Sequence, residues 1–138
     1  MIVLDTNVLS ELMRRAPAER VVEWVDDQDP RTLAITAVTV AELLYGVARL
    51  PAGARKDELA SAVRALVRED FSDRVEPFDG VAAEHYADVV AERERRGRPI
   101  SAADAQIAAI CRRSDATLAT RNTRDFEATG VEVIDPWA

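Results

Sequence analysis

The chain carries one cysteine, one histidine and a single lysine, Lys56, among its 138 residues. One cysteine, Cys111, excludes an internal disulfide and a paired-cysteine zinc site, and it fits a reducing compartment. Flanked by Ile107, Ala108, Ala109 and Ile110, it reads as a buried structural thiol rather than a nucleophile. One histidine, His85, excludes both two-histidine acid/base chemistry and a histidine-rich zinc centre. None of the five glycines belongs to a phosphate-cradling Gly-rich loop ending in Lys-Ser/Thr, and there is no Gly-x-Ser-x-Gly elbow. No apolar run approaches the ~20 residues of a membrane span. The first run, Ile2-Val3-Leu4, stops at Asp5 with no basic residue before it, unlike a secretory signal. These absences predict a cytoplasmic protein.

Hydrophobic residues make up 48% of the chain, enough for a folded globule. At this length one domain over residues 1–138 buries roughly two-thirds of its unfolded surface. The net charge of −7 argues against a polyanionic partner unless basic groups are locally arranged. Of the 18 basic residues 17 are arginine, the side chain suited to bidentate phosphate contacts. Arg121 with Arg124, and the cluster Arg93, Arg95, Arg96 and Arg98, are the candidates for a phosphate track. A solvated mixed-charge helix end explains the second cluster equally well.

Short aliphatic runs alternate with longer amphipathic ones. Strands are predicted at Ile2–Leu4, Thr32–Thr36, Arg74–Phe78, Thr117–Thr120 and Val131–Ile134. Helices are predicted near Val8–Arg14, Ala18–Asp27, Val38–Leu50, around Leu59–Val67, at Val81–Arg96 and at Ser101–Ser114. In the third, Val40, Leu43, Leu44 and Val47 recur at helical spacing. Strands separated by helices imply an α/β fold: an α/β/α sandwich around a central, mostly parallel sheet.

In such a sheet, strand carboxyl ends and the following helix starts share one edge, where ligands bind. Asp5 follows the first strand, Glu42 is expected in the first turn of the third helix, and Asp104 in the first turn of the helix opened by Ser101. Asn122 and Asp125 follow the fourth strand. Each has a plainer explanation as a cap: Asp5 before its helix, and Thr39-x-x-Glu42 and Ser101-x-x-Asp104 as capping boxes. Together they place several carboxylates in one pocket, where their mutual repulsion calls for a cation. Mg²⁺, or Mn²⁺ in its place, prefers carboxylate oxygens and bridges to phosphate. The residues therefore point to a metal-dependent site acting on phosphate esters.

The segments Ile2-Val3-Leu4-Asp5-Thr6-Asn7, Val40-Ala41-Glu42-Leu43-Leu44-Tyr45-Gly46, Ala102-Ala103-Asp104-Ala105-Gln106-Ile107-Ala108 and Ala119-Thr120-Arg121-Asn122-Thr123-Arg124-Asp125-Phe126 occur in this order. Their order and spacing resemble the PIN-domain ribonucleases, and more narrowly the VapC toxins of bacterial toxin–antitoxin pairs, including FitB-like members. The resemblance covers essentially the whole chain, up to Asp135-Pro136-Trp137. It implies Mg²⁺-dependent RNA hydrolysis leaving a 3′-hydroxyl and a 5′-phosphate, with Asp5, Glu42 and Asp104 as principal acids and metal ligands. Asn122 stands where several relatives have Asp, which leaves Asp125 to supply the fourth charge. Thr6, Asn7 and Thr120 are implied as donors orienting the carboxylates, and Arg121 and Arg124 as substrate contacts. The resemblance also implies a homodimer and a cognate VapB-type antitoxin, with DNA met only through that antitoxin.

Two rivals belong to other classes. A haloacid-dehalogenase-type phosphatase also opens with a strand ending in Asp, but it needs a second Asp where this chain has Asn7. A non-catalytic partner in a DNA-bound repressor complex would have no use for the intact acids at positions 5, 42 and 104. Gly46, costing about 1 kcal/mol in mid-helix relative to Ala, either keeps the pocket open or allows close helix packing.

Overall fold

Val3, Leu4, Ala34, Ile35, Leu118 and Ala119 are all buried, on strands too short to span more than one turn of the chain's hydrophobic pattern. Strands buried on both faces are the mark of a parallel sheet covered by helices on either side. In the computed structural model, which describes residues 1–138, five strands satisfy that condition: β1 (Ile2–Leu4), β2 (Leu33–Thr36), β3 (Val75–Glu76), β4 (Thr117–Ala119) and β5 (Val133–Ile134). All neighbours are parallel, in the order β3-β2-β1-β4-β5. Six helices intervene: α1 (Thr6–Leu12), α2 (Glu19–Asp26), α3 (Ala37–Ala48), α4 (Ala54–Ala65), α5 (Gly80–Arg95) and α6 (Ala102–Arg113). The expected α/β/α sandwich is the observed fold.

Strand side chains alternate between two cores. Val3, Ala34 and Leu118 meet Val89 of α5 and Ala105, Ala108 and Cys111 of α6. Leu4, Ile35 and Ala119 meet Val8 and Leu9 of α1, Val21 of α2, Leu43 of α3 and Val63 of α4. Each fully buried aliphatic side chain contributes about 1.5–3 kcal/mol, so the sheet is held from both sides.

The outer strands are shorter than the sequence predicts. β3 keeps two residues of Arg74–Phe78, and β5 begins at Val133 instead of Val131. The fourth helix, expected around Leu59–Val67, ends at Ala65, and Leu66–Asp70 widens into a π-type turn. α5 and α6 form an antiparallel pair joined at Gly97, whose φ of 69° suits a residue without a Cβ. There the Arg98 amide donates to the Arg93 carbonyl at 2.9 Å, closing the end of α5.

Candidate active site

The carboxyl edge of the sheet presents three residues at the ends of three adjacent strands: Thr36 as the last residue of β2, Asp5 immediately after β1 and Thr120 immediately after β4. The ladder continues through them, with Asp5 N–H donating to Ala119 O and Thr120 N–H to Ile134 O, both at 2.9 Å. The strands therefore fix these backbones.

Asp5 is 5% exposed. Its Oδ1 accepts from Thr6 N–H at 2.8 Å, which caps α1. Its Oδ2 accepts from the Thr120 hydroxyl at 2.7 Å and from Asn7 Nδ2 at 3.4 Å. Capping and site geometry are thus properties of the same carboxylate, using different oxygens. Asn7 Nδ2 also donates to Thr120 Oγ1 at 3.1 Å, and its Oδ1 accepts from the Arg121 amide at 3.2 Å. An amide so engaged orients its neighbours and has no proton to give, so the second Asp a dehalogenase-type phosphatase requires has no equivalent here. The Asn122 amide donates to Thr120 Oγ1 at 3.1 Å. Burial holds the Asp5 pKa above its ordinary value, with Glu42 and Asp125 adding repulsion, while the Thr120 and Thr6 bonds pull the other way.

Glu42 lies in the second turn of α3, one turn later than the sequence suggests. The helix starts at Ala37 because the Thr36 hydroxyl accepts from Thr39 N–H at 3.0 Å. That bond removes the Thr39–Glu42 capping box and leaves Glu42 free to reach the site. Its Oε1 accepts from the Thr6 hydroxyl at 2.7 Å. Thr6 also sits 3.0 Å from the buried Thr39 hydroxyl, so α1 and α3 are stitched at this edge.

Ser101 caps α6 as expected, its hydroxyl accepting from Asp104 N–H at 3.2 Å. The Asp104 carboxylate makes no return bond to the Ser101 amide, and it faces the acids. Burial raises its pKa, and the negative charges of Asp5, Asp125 and Glu42 raise it further.

Asp5, Glu42, Asp104 and Asn122 line one open cleft of about 500 Å³. Asp125 lies beside it, sharing a smaller cavity with Asp104 and Ser101. Its charge still reaches both Asp5 and Asp104. The side chains do not close into a ready-made cage of three or more ligands. The donor set nevertheless suits a hard divalent cation: all oxygen, several carboxylates, and two of them held with raised pKa values that an adjacent positive charge would reverse. Arg121 borders the cleft. Arg124 does not; it lines a shallow surface pocket with Arg121, Asn122 and Asp125.

The Arg93–Arg98 cluster is engaged largely within the chain. Arg95 and Arg96 pair with Glu92 at 2.6 and 2.8 Å, and Arg98 with Glu127 at 2.6 Å. Arg93, 5% exposed, points inward and donates to the carbonyls of Arg98 (2.7 Å), Asp125 (2.6 Å) and Glu127 (3.1 Å). It braces the segment that carries Asp125.

Four further residues at the cleft were not legible as site residues: Ser10, Glu11, Arg14 and Trp137. Glu11 is buried, accepts from Ala18 N–H at 3.1 Å and holds Arg14 at 3.4 Å. A buried acid at that helical position was the available signal. Adjoining the acids, an apolar groove of about 220 Å³ runs between Met13 of α1, Leu43, Gly46 and Val47 of α3, and Leu59 and Val63 of α4, with Thr6 and Glu42 at its end. At Gly46 an added Cβ would meet nothing within 4 Å, so close packing is not why a glycine stands there. No helix is long and apolar enough to cross a membrane.

Comparison with known proteins bears on this geometry. The PIN-domain family pattern matches residues 2–132. Over 137 residues the chain is 43% identical to the VapC ribonuclease Y4jK of Sinorhizobium fredii, covering 99% of this chain and 98% of that one. It is 42% identical to Toxin FitB of Neisseria gonorrhoeae, with 99% of each chain covered. The solved structure of FitAB bound to the IR36 DNA fragment superposes with a TM-score of 0.94 at 40% identity, over 100% of this chain and 96% of that one.

Proposed function

This chain belongs to the PIN-domain family, and from that premise we propose that it is a metal-dependent endoribonuclease, the toxin of a VapBC-type toxin–antitoxin pair. The observation that carries the reading is the cleft in which buried Asp5 meets Glu42 and Asp104 at the carboxyl edge of the sheet. The names of its relatives support both the ribonuclease and the toxin parts.

Asp5, Glu42 and Asp104 would hold the cation, Mg²⁺ with Mn²⁺ as a substitute, and Asp125 would add charge beside Asp104. When bound, that cation lowers the pKa of a water and offsets charge developing on the scissile phosphate. The chain's own residues do the rest. Thr120 and Asn7 fix the orientation of Asp5, and Thr6 that of Glu42. Glu42 or Asp104 accepts the proton of the attacking water. Water adds to phosphorus, the bond to the 3′ oxygen breaks, that oxygen takes up a proton from solvent while the carboxylate returns its own, and the products are a 3′-hydroxyl and a 5′-phosphate. Arg121 and Arg124 offer phosphate contacts at the rim.

The apolar groove ending at Glu42 fits an antitoxin segment, with a basic side chain reaching the acids in competition with the cation. We propose further that the chain forms a homodimer and meets DNA only through its antitoxin; the structure of FitAB bound to a DNA fragment supports a toxin–antitoxin pair that assembles on DNA. Two measurements test the site. Mg²⁺ should raise the Tm of the wild type and restore RNA cleavage lost in EDTA, and Asp104→Asn should lose both effects while keeping its fold. Unchanged Mg²⁺-dependent cleavage by Asp104→Asn would overturn the assignment. Co-expression with the neighbouring gene should yield a stable, inactive complex.

A further inference from the structure

The end of the chain is held against the acid cleft by its own contacts. Pro136 is buried, Trp137 N–H donates to Asp135 Oδ1 at 2.8 Å, and Arg20 donates to the Ala138 carbonyl. The Trp137 indole is half-buried, leaning on the core that holds Leu4 and Ala119, and it lines the cleft that contains Asp5 and Asp104. The Arg121 guanidinium lies 5.2 Å from the ring centroid. Arg121 has no carboxylate partner; its backbone N–H is fixed by Asn7 Oδ1. The cation is therefore positioned by the ring and by the Asp5 network rather than neutralised by an acid.

The sheet order sets the scale. β5, which leads into Trp137, lies two strands from β1, which ends at Asp5. Two inter-strand spacings are about 10 Å, and the chain that runs on three residues past β5 brings Trp137 to line the same cleft as Asp5. Aromatic rings and guanidinium planes are the surfaces on which proteins stack unpaired bases.

We propose that Trp137 and Arg121 form a stacking platform that takes a nucleobase flanking the scissile phosphate of single-stranded RNA. The platform rests on the ribonuclease reading and adds to it a determinant of substrate choice: an unpaired base, purine over pyrimidine. A tryptophan that only tied down the chain end would bury its ring in the core, away from the acids, and would have no use for an unneutralised arginine on its face.

The chain has two tryptophans, so Trp24→Phe leaves Trp137 as the sole reporter. In that background, with EDTA present to prevent cleavage, oligoadenylate of about a dozen nucleotides should quench Trp137 emission more than oligouridylate. Inorganic polyphosphate, a polyanion without bases, should leave the emission unchanged. Trp137→Leu should weaken oligoadenylate binding roughly 5- to 150-fold, the usual loss of one stacked base, while polyphosphate binding stays the same. Binding and cleavage of RNA with no base-dependent quenching, or equal oligoadenylate affinity in Trp137→Leu, overturns the platform and leaves the nuclease standing. Absence of both binding and cleavage overturns the nuclease and the platform together. Should Trp137→Leu fail to fold, Trp137→Phe serves instead, with a smaller loss expected in the same direction.

Discussion

Removing the Arg93 guanidinium should destabilise the protein and loosen one part of it in particular. The group makes three hydrogen bonds, to the carbonyls of Arg98, Asp125 and Glu127, from a position 5% exposed. A charged donor contributes more per bond than a neutral one, but burying the charge offsets part of the gain, and water can reach carbonyls of exposed residues. A net of about 1 kcal/mol per bond puts Arg93→Met about 3 kcal/mol below the wild type. For a chain of this size that lowers Tm by roughly 10 °C. Arg93→Lys keeps the charge but not the fork that spans three acceptors, and should recover only a minor share. Thermal unfolding in EDTA measures the loss, and amide exchange locates it. The Asp125 amide, bonded to Asn122 O at 3.0 Å, should exchange faster while amides of β1 keep their protection. A Tm within about 2 °C of wild type, or uniform protection across the 123–127 segment, would refute the brace.

Other outcomes follow from the same geometry. Asp5→Asn should be more stable than wild type in EDTA, because the ionised carboxylate is costly where it sits. A raised folded pKa gives stability at pH below the ordinary 3.8 that is lost as pH climbs through the folded value. The variant's advantage should therefore grow on raising the pH from acid to neutral, and a pH-independent difference counts against it. Cys111, buried with its thiol pushed up to about 12, should resist iodoacetamide in the native state at mildly alkaline pH and react promptly once unfolded. Gly46→Ala should stabilise α3 by up to about 1 kcal/mol, since its Cβ meets nothing; a lower Tm would reveal a contact there.

Much of this arrangement was legible in the sequence because it is local. Asp5 ends a strand and starts a helix within three residues, and Ser101 announces the start of α6, so both acids could be assigned to the edge directly. Glu42 was placed one turn early because Thr39 and Thr36 are both good caps, and only the strand pairing of β2 decides that Thr36 is the one used. The arginines near residue 95 leave two readings open in the sequence, a phosphate track or a mixed-charge helix end, because their partners are of two kinds. Glu92 lies on the same helix, whereas Glu127 and two of the three carbonyls met by Arg93, those of Asp125 and Glu127, are some thirty residues downstream. Glu11, Arg14 and Trp137 gave no motif; their place at the cleft follows from the crossing of α1 and the position of β5, which no short window contains.

The strand order has a consequence in time as well as in space. Asp5 is synthesised well before its neighbour in the sheet: the strand on one side of β1 is β4, beginning at Thr117. The hydroxyl that orients Asp5 belongs to Thr120. Synthesis must run past Thr120 before that strand can insert, so no nascent fragment that stops short of β4 holds an assembled acid cleft. The order of translation itself thus delays assembly of the cleft until the segment carrying β4 has been made and is free to fold.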